Sequence, residues 1–230
     1  MYRNKSRCTF DVLILTMLLM THATHAATPA PTAPGPPLSS DFHGPFWQVM
    51  TPAGGTVSAS NAHLLLNVPG GSNHDAVTSG NQAVRVVQPV GNTNFDVSIK
   101  IDSTISAGDA GTKEGLMVIS DTKNFVTYAL AADGTTIRLT AEIVAGGVAT
   151  SVLDDENFSQ YQSPMYLRLT RTAGVYGAYY SVDGTTWTSA TNFKCSNVPK
   201  LIGPFASNYN ATPSEAVQVE MSVNWFAVQP

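Results

Sequence analysis

The loop at residues 70–75, GGSNHD, is the first stretch whose side chains are suited to bind a polar ligand. Two glycines allow the backbone to turn tightly, so Asn73, His74 and Asp75 are presented together on one loop. Their amide, imidazole and carboxylate groups can exchange hydrogen bonds with sugar hydroxyls. The alternative is a structural loop, in which His74 and Asp75 cap backbone groups of the turn.

Arg85 is the second candidate, because it lies in the largely apolar segment AVRVVQ at residues 83–88. A cation in such a segment needs a partner, since burying an uncompensated charge is costly. The sequence leaves two partners open: a structural ion pair with Asp75, or a ligand on the concave face of a sheet. We favour the ion pair.

A polar and aromatic surface is the third candidate, provided that the strands carrying it are adjacent. Tyr166 and Arg168 would lie on it, with Arg138, Glu142 and Tyr128. Sugars bind such surfaces by stacking on aromatic rings and by hydrogen bonds to planar polar groups. The alternative is an ordinary solvated sheet face with cross-strand charge pairs.

The three tryptophans differ in their sequence surroundings. Trp187 follows an Asp-Gly turn and Trp225 continues an alternating apolar face, so both are predicted to lie in the core. Trp47, near the start of the predicted domain, either packs against the core or forms an exposed stacking platform.

Motifs for catalysis or metal binding are absent from the sequence. It lacks the Glu-x-Asp-x-x-Glu strand motif of glucanases, the Gly-x-Ser-x-Gly elbow, His-Glu-x-x-His and Cys-x-x-Cys. Glycoside hydrolysis needs two carboxylates placed across the sugar, and Glu114, Glu142 and Asp102 are the acids we consider for such a pair. The densest acidic cluster, at residues 154–156, is interpreted as a solvated loop.

The candidate residues are predicted to lie on or between β-strands, because apolar and polar residues alternate along much of the chain. In FDVSIKID at residues 95–102 every odd position is apolar and every even position is polar. The same alternation occurs at residues 138–143, 165–170 and 217–225. No stretch of ten or more residues combines helical periodicity with capping residues.

Turn signals separate the predicted strands. Asp133-Gly134 and Asp183-Gly184 predict tight type I′ hairpin turns, and further hairpins are predicted at residues 121–124, 146–147 and 173–174. About a dozen strands result, which are too many for one open sheet of this chain length. The predicted fold class is therefore all-β, a two-sheet antiparallel jelly-roll sandwich.

The N-terminal segment has the three parts of a secretory signal peptide. A basic stretch precedes the apolar run at residues 12–20, and small residues follow, so residues 1–26 are predicted to be removed. The apolar run is too short to span a bilayer. Residues 27–38, rich in Pro, Ala and Thr, predict an extended linker. Residues 39–230 are predicted to form one domain, secreted or periplasmic and without membrane insertion.

The net charge bears on the choice of partner, and the cysteines bear on disulfide formation. Of 12 basic and 16 acidic residues, the first 26 positions hold three and one, so 9 and 15 remain, a net charge of −6. An acidic chain without basic clusters argues against nucleic acid and anionic membranes as partners. Cys8 would leave with the signal peptide. Cys195 is then predicted to be a buried thiol, with an intermolecular disulfide as the alternative.

A collective pattern is formed by the segments DF (41–42), HLLLNVPGG (63–71), HD (74–75), RVVQP (85–89), FDV (95–97), GLMV (115–118), YLRLTR (166–171) and YSVDGTTW (180–187). Together they resemble the concanavalin A-like lectin/glucanase superfamily, and in particular the domain at the C-terminus of bacterial β-xylosidases. The resemblance implies a β-sandwich with one concave sheet. It allows a structural calcium ion, with Asp41 as a contributing ligand, and implies no other cofactor. This chain departs from similar sequences by having Val77 in place of Trp.

The leading hypothesis is an exported, non-catalytic, lectin-like module. It would bind a glycan or another cell-surface ligand through His74, Asp75 and Arg85, or through Tyr166 and Arg168. A second hypothesis is a polysaccharide-active hydrolase or lyase, which predicts two ionisable groups with perturbed pKa values in a deep cleft. A third is a structural or adhesive protein, which predicts a large flat apolar surface.

Overall fold

The computed structural model describes residues 46–60, 63–78 and 80–229, and its regular structure is β-strand apart from two short 3-10 turns, Pro52–Gly54 and Pro213–Glu215. The described strands are β1 (Gln48–Met50), β2 (Thr56–Ser60), β3 (His63–Val68), β4 (Val84–Pro89), β5 (Phe95–Ile101), β6 (Lys113–Asp121), β7 (Asn124–Ala132), β8 (Ile137–Ala145), β9 (Val148–Asp155), β10 (Met165–Thr172), β11 (Val175–Ser181), β12 (Thr188–Lys194), β13 (Leu201–Ser207) and β14 (Val219–Gln229).

These strands form two antiparallel sheets of seven strands each, packed face to face. Sheet A has the order β1-β4-β13-β6-β7-β8-β9, and sheet B has the order β12-β11-β10-β5-β14-β3-β2. Many neighbours are distant in sequence: β5 lies between β10 and β14. The predicted all-β, two-sheet antiparallel sandwich is confirmed.

Alternation along the strands builds the core between the sheets. In β5, Val97, Ile99 and Ile101 point inward and are fully buried, as is Leu167 of β10. Fully burying one aliphatic side chain stabilises the fold by about 1.5–3 kcal/mol. Trp47 is half-buried and meets Phe226 edge to face, with ring centroids 5.4 Å apart, so it packs against the core.

A smaller apolar cluster lies on the outer face of sheet A. Met117 of β6, Phe125 of β7 and Phe205 of β13 are buried there. The segment between β3 and β4 covers them with Ala76 and Val77. The outer face of sheet A is thus partly closed by the same loop that contains the GGSNHD sequence.

The hairpin turns differ from the prediction at two places. Ala173-Gly174 and Gly146-Gly147 form two-residue turns with positive φ at both positions, as type I′ geometry requires. The loops at Asp133 and Asp183 are longer, and only their glycines have positive φ. The type I′ prediction was wrong there, because each aspartate carboxylate instead accepts hydrogen bonds from the backbone of the two threonines that follow its glycine.

The predicted signal peptide (residues 1–26) and linker (residues 27–38) lie outside the described residues. Within the described part of the chain, no helix has the length and apolar character needed to cross a membrane. Cys195 is buried, with 7% of its surface exposed, and its thiol is free. The prediction of a buried thiol at this position is confirmed.

Candidate functional site

The outer face of sheet B carries four half-buried aromatic rings and one buried arginine. We call this set the aromatic face: Tyr166, Arg168, Tyr179, Trp187 and Trp225. Alternation in β10 directs Tyr166 and Arg168 outward, because Leu167 between them lies in the core. Tyr179 comes from β11, Trp225 from β14, and Trp187 directly precedes β12.

Trp225 reaches this face because of a β-bulge. The pairing of β14 with β5 shifts between Val223 and Trp225, so Trp225 pairs with the outward-facing Lys100. Phe226 then pairs with Ile99 and is fully buried. The prediction that Trp225 lies in the core was wrong, since one extra residue in the strand exchanges the two faces.

Tyr166 links Trp225 to the loop that joins β11 and β12. The Tyr166 and Trp225 ring centroids are 6.0 Å apart, with an angle of 48° between the rings. Gly184 lies against the Tyr166 ring so closely that a Cβ atom there would be 2.7 Å from it. The loop therefore packs on the tyrosine and holds its ring in place.

Arg168 lies between two further rings. Its guanidinium carbon is 5.6 Å from the ring centre of Tyr179 and 5.6 Å from that of Trp187. Its Nε donates a 2.7 Å hydrogen bond to one carboxylate oxygen of Asp96, and Nη2 donates to the other. Trp187 was predicted in the core. It is instead half-buried on the aromatic face, since a loop residue follows no strand alternation.

Tyr179 lies over a glycine of its own strand. A Cβ atom at Gly177 would be 2.9 Å from both the hydroxyl and the ring of Tyr179. The missing side chain lets this ring lie along the sheet beside Arg168. Ser98, paired with Arg168, and Ala227, paired with Ser98, are small and buried. In this row of the sheet, large side chains lie on β11 and β10, and small ones lie on β5 and β14.

Polar groups border the aromatic face at β5 and β3. Lys100, next to Tyr166 and Trp225, forms a 2.9 Å ion pair with Asp102. The His63 ring lies 3.6 Å from the same carboxylate and within 3.3 Å of the Ser222 hydroxyl. A ligand lying on the rings would have hydrogen-bonding groups within reach at this border.

His74 and Asp75 make the contacts of a structural loop. The His74 side chain is fully buried, and its two ring nitrogens lie 3.2 and 3.1 Å from the carbonyl oxygens of Ser72 and Ala53. The Asp75 carboxylate accepts hydrogen bonds from the backbone of Val77 and Thr78. Both residues occupy the capping roles that formed the alternative interpretation.

Arg85 is 6% exposed and donates to the Ala83 carbonyl at 2.7 Å and to both oxygens of Asn81 at 3.0 Å. Within the described ranges, no ion pair joins it to Asp75. The predicted ion pair was wrong, because the chain between β3 and β4 brings Asn81 rather than Asp75 to the guanidinium. Burial lowers the Arg85 pKa to about 10, so the group remains charged at neutral pH.

The residues proposed to share a face with Tyr166 and Arg168 lie elsewhere. Arg138 and Glu142 lie on the outer face of sheet A, where they pair with Asp154 at 2.6 Å and with Lys113 at 2.7 Å. Tyr128 is fully buried between the sheets. Arg138 and Glu142 are on β8 and Tyr128 is on β7, and both strands belong to sheet A, whereas β10 with Tyr166 and Arg168 belongs to sheet B.

The acids considered for metal binding are Asp41 and the cluster at residues 154–156. Among the described residues, no group of three His, Cys, Asp or Glu side chains could hold a metal ion. Asp41 lies outside those residues. The interpretation of residues 154–156 as a loop was wrong for Asp154 and Asp155, which end strand β9, and Asp154 and Glu156 pair with Arg138.

Glu114 is an unusual acid that the sequence did not mark as buried. It is 2% exposed, and burial raises its pKa to about 7, although the Ser103 hydroxyl donates to it at 2.5 Å. Asp109 lines the same cavity and raises the pKa further. The cavity is only about 140 Å³, below the usual size of a small-molecule site.

The aromatic face is the arrangement best suited to bind an extended ligand. Tyr166 and Arg168 were predicted to belong to such a surface, and they are neighbours there. Tyr179 and Trp187 were missed. Neighbouring residues of a strand point to opposite faces, so Tyr179 and Tyr180 in GAYYS (residues 177–181) had to differ in direction. In the structure Tyr180 packs against the core and Tyr179 points outward.

Comparison with known proteins gives a match in structure only. No family model matches the sequence, and no curated protein matches it. The GH43 BlXynB protein from Bacillus licheniformis matches with a TM-score of 0.62 and 18% identity, over 79% of this chain and 36% of that chain. The Bacteroides ovatus protein described as Xyloglucan PUL GH43B matches with a TM-score of 0.63 and 15% identity, over 81% and 37%.

A functionally unknown protein from Saccharomyces cerevisiae matches over nearly its whole length. Its TM-score is 0.63 at 15% identity, and the match covers 80% of this chain and 95% of that one. At such identities these likenesses concern the fold, which is a β-sandwich. This chain spans little more than a third of the two GH43 proteins.

Proposed function

We propose that this chain is an exported, non-catalytic carbohydrate-binding module of the concanavalin A-like type, and that the aromatic face holds the glycan. The observation that carries the proposal is the set of half-buried rings on one sheet: Tyr166 is packed beside Trp225, and Tyr179 and Trp187 lie against Arg168. His74, Asp75 and Arg85 have no direct role in this proposal, since their polar groups contact the chain itself.

The physical basis is the match between aromatic rings and the apolar faces of sugar rings. Aromatic side chains offer large contact area with little loss of conformational entropy, and their edges leave polar groups free to bind hydroxyls. The rings are fixed in advance: Gly184 packs on Tyr166, and Arg168 holds Tyr179 and Trp187 together. Preorganisation of this kind lowers the entropic cost of binding.

The names of the structural neighbours suggest which glycans to test first. One neighbour is described as Xyloglucan PUL GH43B, and another as a xylan β-1,4-xylosidase from Bacillus halodurans. Both contain the sandwich as a part of a longer chain, since the matched regions cover 37% and 34% of them. Xylan and xyloglucan are therefore the first probes, within a wider panel of polysaccharides.

The test uses residues 27–230 and measures retention on xylan, xyloglucan and the wider panel, with calcium and with a chelator. The Tyr179→Ala/Trp225→Ala double variant removes two rings from the aromatic face. The matched control is Phe46→Ala/Tyr209→Ala, which removes two exposed rings elsewhere, 70% and 44% exposed. Both variants are checked for folding by far-UV circular dichroism.

We expect the wild type and the control to be retained by at least one glycan, and the aromatic-face variant to lose at least about tenfold in affinity, as expected for two lost ring contacts. Retention of the folded aromatic-face variant at wild-type strength would move the binding site away from this face. Absence of binding to every glycan in both conditions would overturn the carbohydrate proposal for the panel tested.

A further inference from the structure

A concave site lies at one end of the sandwich, where the loop between β4 and β5 meets the β10–β11 turn and the segment after β12. We call it the end cleft. Its volume is about 800 Å³, and it shares no residue with the aromatic face. Its lining consists of Asn92, Thr93, Asn94, Arg171, Ala173, Gly174, Val175, Lys194, Cys195, Ser196 and Val198.

The charge of this lining differs from that of the chain. The full chain has a net charge of −4, whereas the described lining of the end cleft contains Arg171 and Lys194 and no acid. The amides of Asn92 and Asn94 and the hydroxyl of Ser196 add polar groups. The end cleft is thus a positively charged recess on an acidic protein, which favours an anionic ligand.

Arg171 is the fixed part of the cleft. It occupies an inward-facing position at the end of β10 and is only 8% exposed. Its Nη1 donates to the Thr93 carbonyl and its Nη2 to Oδ1 of Asn92, both at 2.8 Å. The guanidinium also lies 5.9 Å from the ring centre of Tyr176. These contacts hold the cation in place beneath the cleft.

Arg171 also lacks a counter-charge. Among the residues that the structure describes, no carboxylate forms an ion pair with it, whereas the similarly buried Arg168 is paired with Asp96. Its Nε is buried without a hydrogen-bond partner. A buried cation without compensation is costly, and an anion in the adjoining cleft would reduce that cost.

Asp121 is an acid near the cleft, because the hydroxyl of the preceding residue, Ser120, donates to the Val198 carbonyl. Asp121 lies in the β6–β7 turn, where its carboxylate accepts hydrogen bonds from the backbone of Lys123 and the amide of Asn124. These bonds, with a small contribution from Lys200, lower the Asp121 pKa. Asp121 therefore stays in its own turn and does not line the cleft.

We propose that the end cleft binds a small ligand through one oxyanion group, a carboxylate, sulfate or phosphate, with Lys194 and the amides of Asn92 and Asn94 contacting the group and Arg171 supplying fixed positive charge behind it. Charge-assisted hydrogen bonds from such donors are about twice as strong as neutral ones. The site is independent of the aromatic face, so either proposal can fail without the other.

The test is an NMR titration of isotope-labelled residues 27–230 with sodium glucuronate, sodium sulfate and sodium phosphate, and with glucose as the neutral probe, at constant ionic strength. We expect saturable shifts of the Asn92, Asn94 and Ser196 signals with at least one oxyanion and none with glucose. The three oxyanions are titrated separately. The one that gives saturable shifts therefore shows whether the cleft binds a carboxylate, a sulfate or a phosphate.

The variant Asn92→Asp/Asn94→Asp keeps the two oxygens that accept hydrogen bonds from Arg171 and from the Ala173 backbone. It replaces two amide donors by negative charges, so we expect the oxyanion affinity to fall by at least about tenfold. Asn157→Asp/Gln160→Glu is the matched control: it adds the same charge in the exposed loop before β10, at the opposite end of that strand from Arg171.

Lys194→Glu gives a second variant, at an exposed residue, in case the double variant does not fold. Saturable binding that is lost in the cleft variants and kept in the control supports the proposal. Shifts that stay linear with every oxyanion, or affinities that are equal in the cleft variants and the control, would overturn it.

Discussion

Arg168 and Asp96 form a two-armed ion pair diagonally across neighbouring strands. Arg168 pairs in register with Ser98, and Asp96 pairs with Thr170. The guanidinium therefore extends along the sheet, over the space left by a small serine, to reach the carboxylate. Arg168 is only 7% exposed, so this pair neutralises a buried charge next to the rings of Tyr179 and Trp187.

Removal of the carboxylate should destabilise the fold strongly. In Asp96→Ala the buried guanidinium loses its counter-charge, and we expect the free energy of unfolding to fall by about 3 kcal/mol. Asp96→Asn keeps one acceptor and should lose less. Urea unfolding measures both. Asp155→Ala, at an exposed residue of β9, is the control. Equal stability of Asp96→Ala and the control would contradict a structural role for the pair.

The bulge in β14 predicts opposite consequences for two adjacent aromatic residues. Phe226 is fully buried in the core and Trp225 is half-buried on the outer face. Phe226→Ala should cost about 3–5 kcal/mol of unfolding free energy. Trp225→Ala should cost about 1 kcal/mol and act mainly on glycan binding. Chemical denaturation of the two variants compares them directly, and a larger loss for Trp225→Ala would show that the faces are exchanged.

Glu114 should make stability depend on pH between about 4.5 and 7. Its pKa is raised from 4.5 to about 7 by burial, so the folded state holds the proton more tightly than the unfolded chain. The contribution of the neutral carboxyl is fully present below pH 4.5 and is lost as the pH rises towards 7. The full shift corresponds to on the order of 3 kcal/mol.

The variant Glu114→Gln keeps the shape of the side chain without its ionisation. Its unfolding free energy should fall less steeply between pH 4.5 and 7 than that of the wild type. Glu215→Gln, at an exposed position, is the control and should retain the wild-type slope. If Glu114→Gln also retained that slope, Glu114 would have to be ionised in the folded state at pH 5 to 6.

Gly184 should be required for the position of Tyr166. Its φ is +73°, and an added Cβ would lie 2.7 Å from the tyrosine ring. Gly147 has φ +85° with no atom within 4 Å of an added Cβ. Gly184→Ala and Gly147→Ala thus share the backbone strain of about 1–2 kcal/mol, and only the former displaces Tyr166. A larger loss of stability and of glycan affinity in Gly184→Ala is expected, measured by thermal unfolding and retention assays.

Much of the fold followed from local patterns. The alternation in β5 and β10 correctly separated inward from outward residues, and Gly146-Gly147 and Ala173-Gly174 formed the predicted turns. The predictions of side-chain direction and of turn type failed where a bulge added one residue to a strand, or where a loop was longer than two residues. At Trp225 the bulge reversed the alternation, and at Asp133 and Asp183 side-chain hydrogen bonds selected a longer loop.

Residue alternation was enough to predict that the chain forms strands, which side chains of a regular strand share a face, and that Tyr166 and Arg168 point the same way. These properties are local, because successive side chains of a strand point to opposite sides. The three-dimensional fold places β5 between β10 and β14, and this position brings Tyr166 to Trp225 and Arg168 to Asp96. It also placed Arg138 and Glu142 on the other sheet. Strand order depends on packing between segments far apart in the chain, and alternation within one strand carries no information about its neighbours.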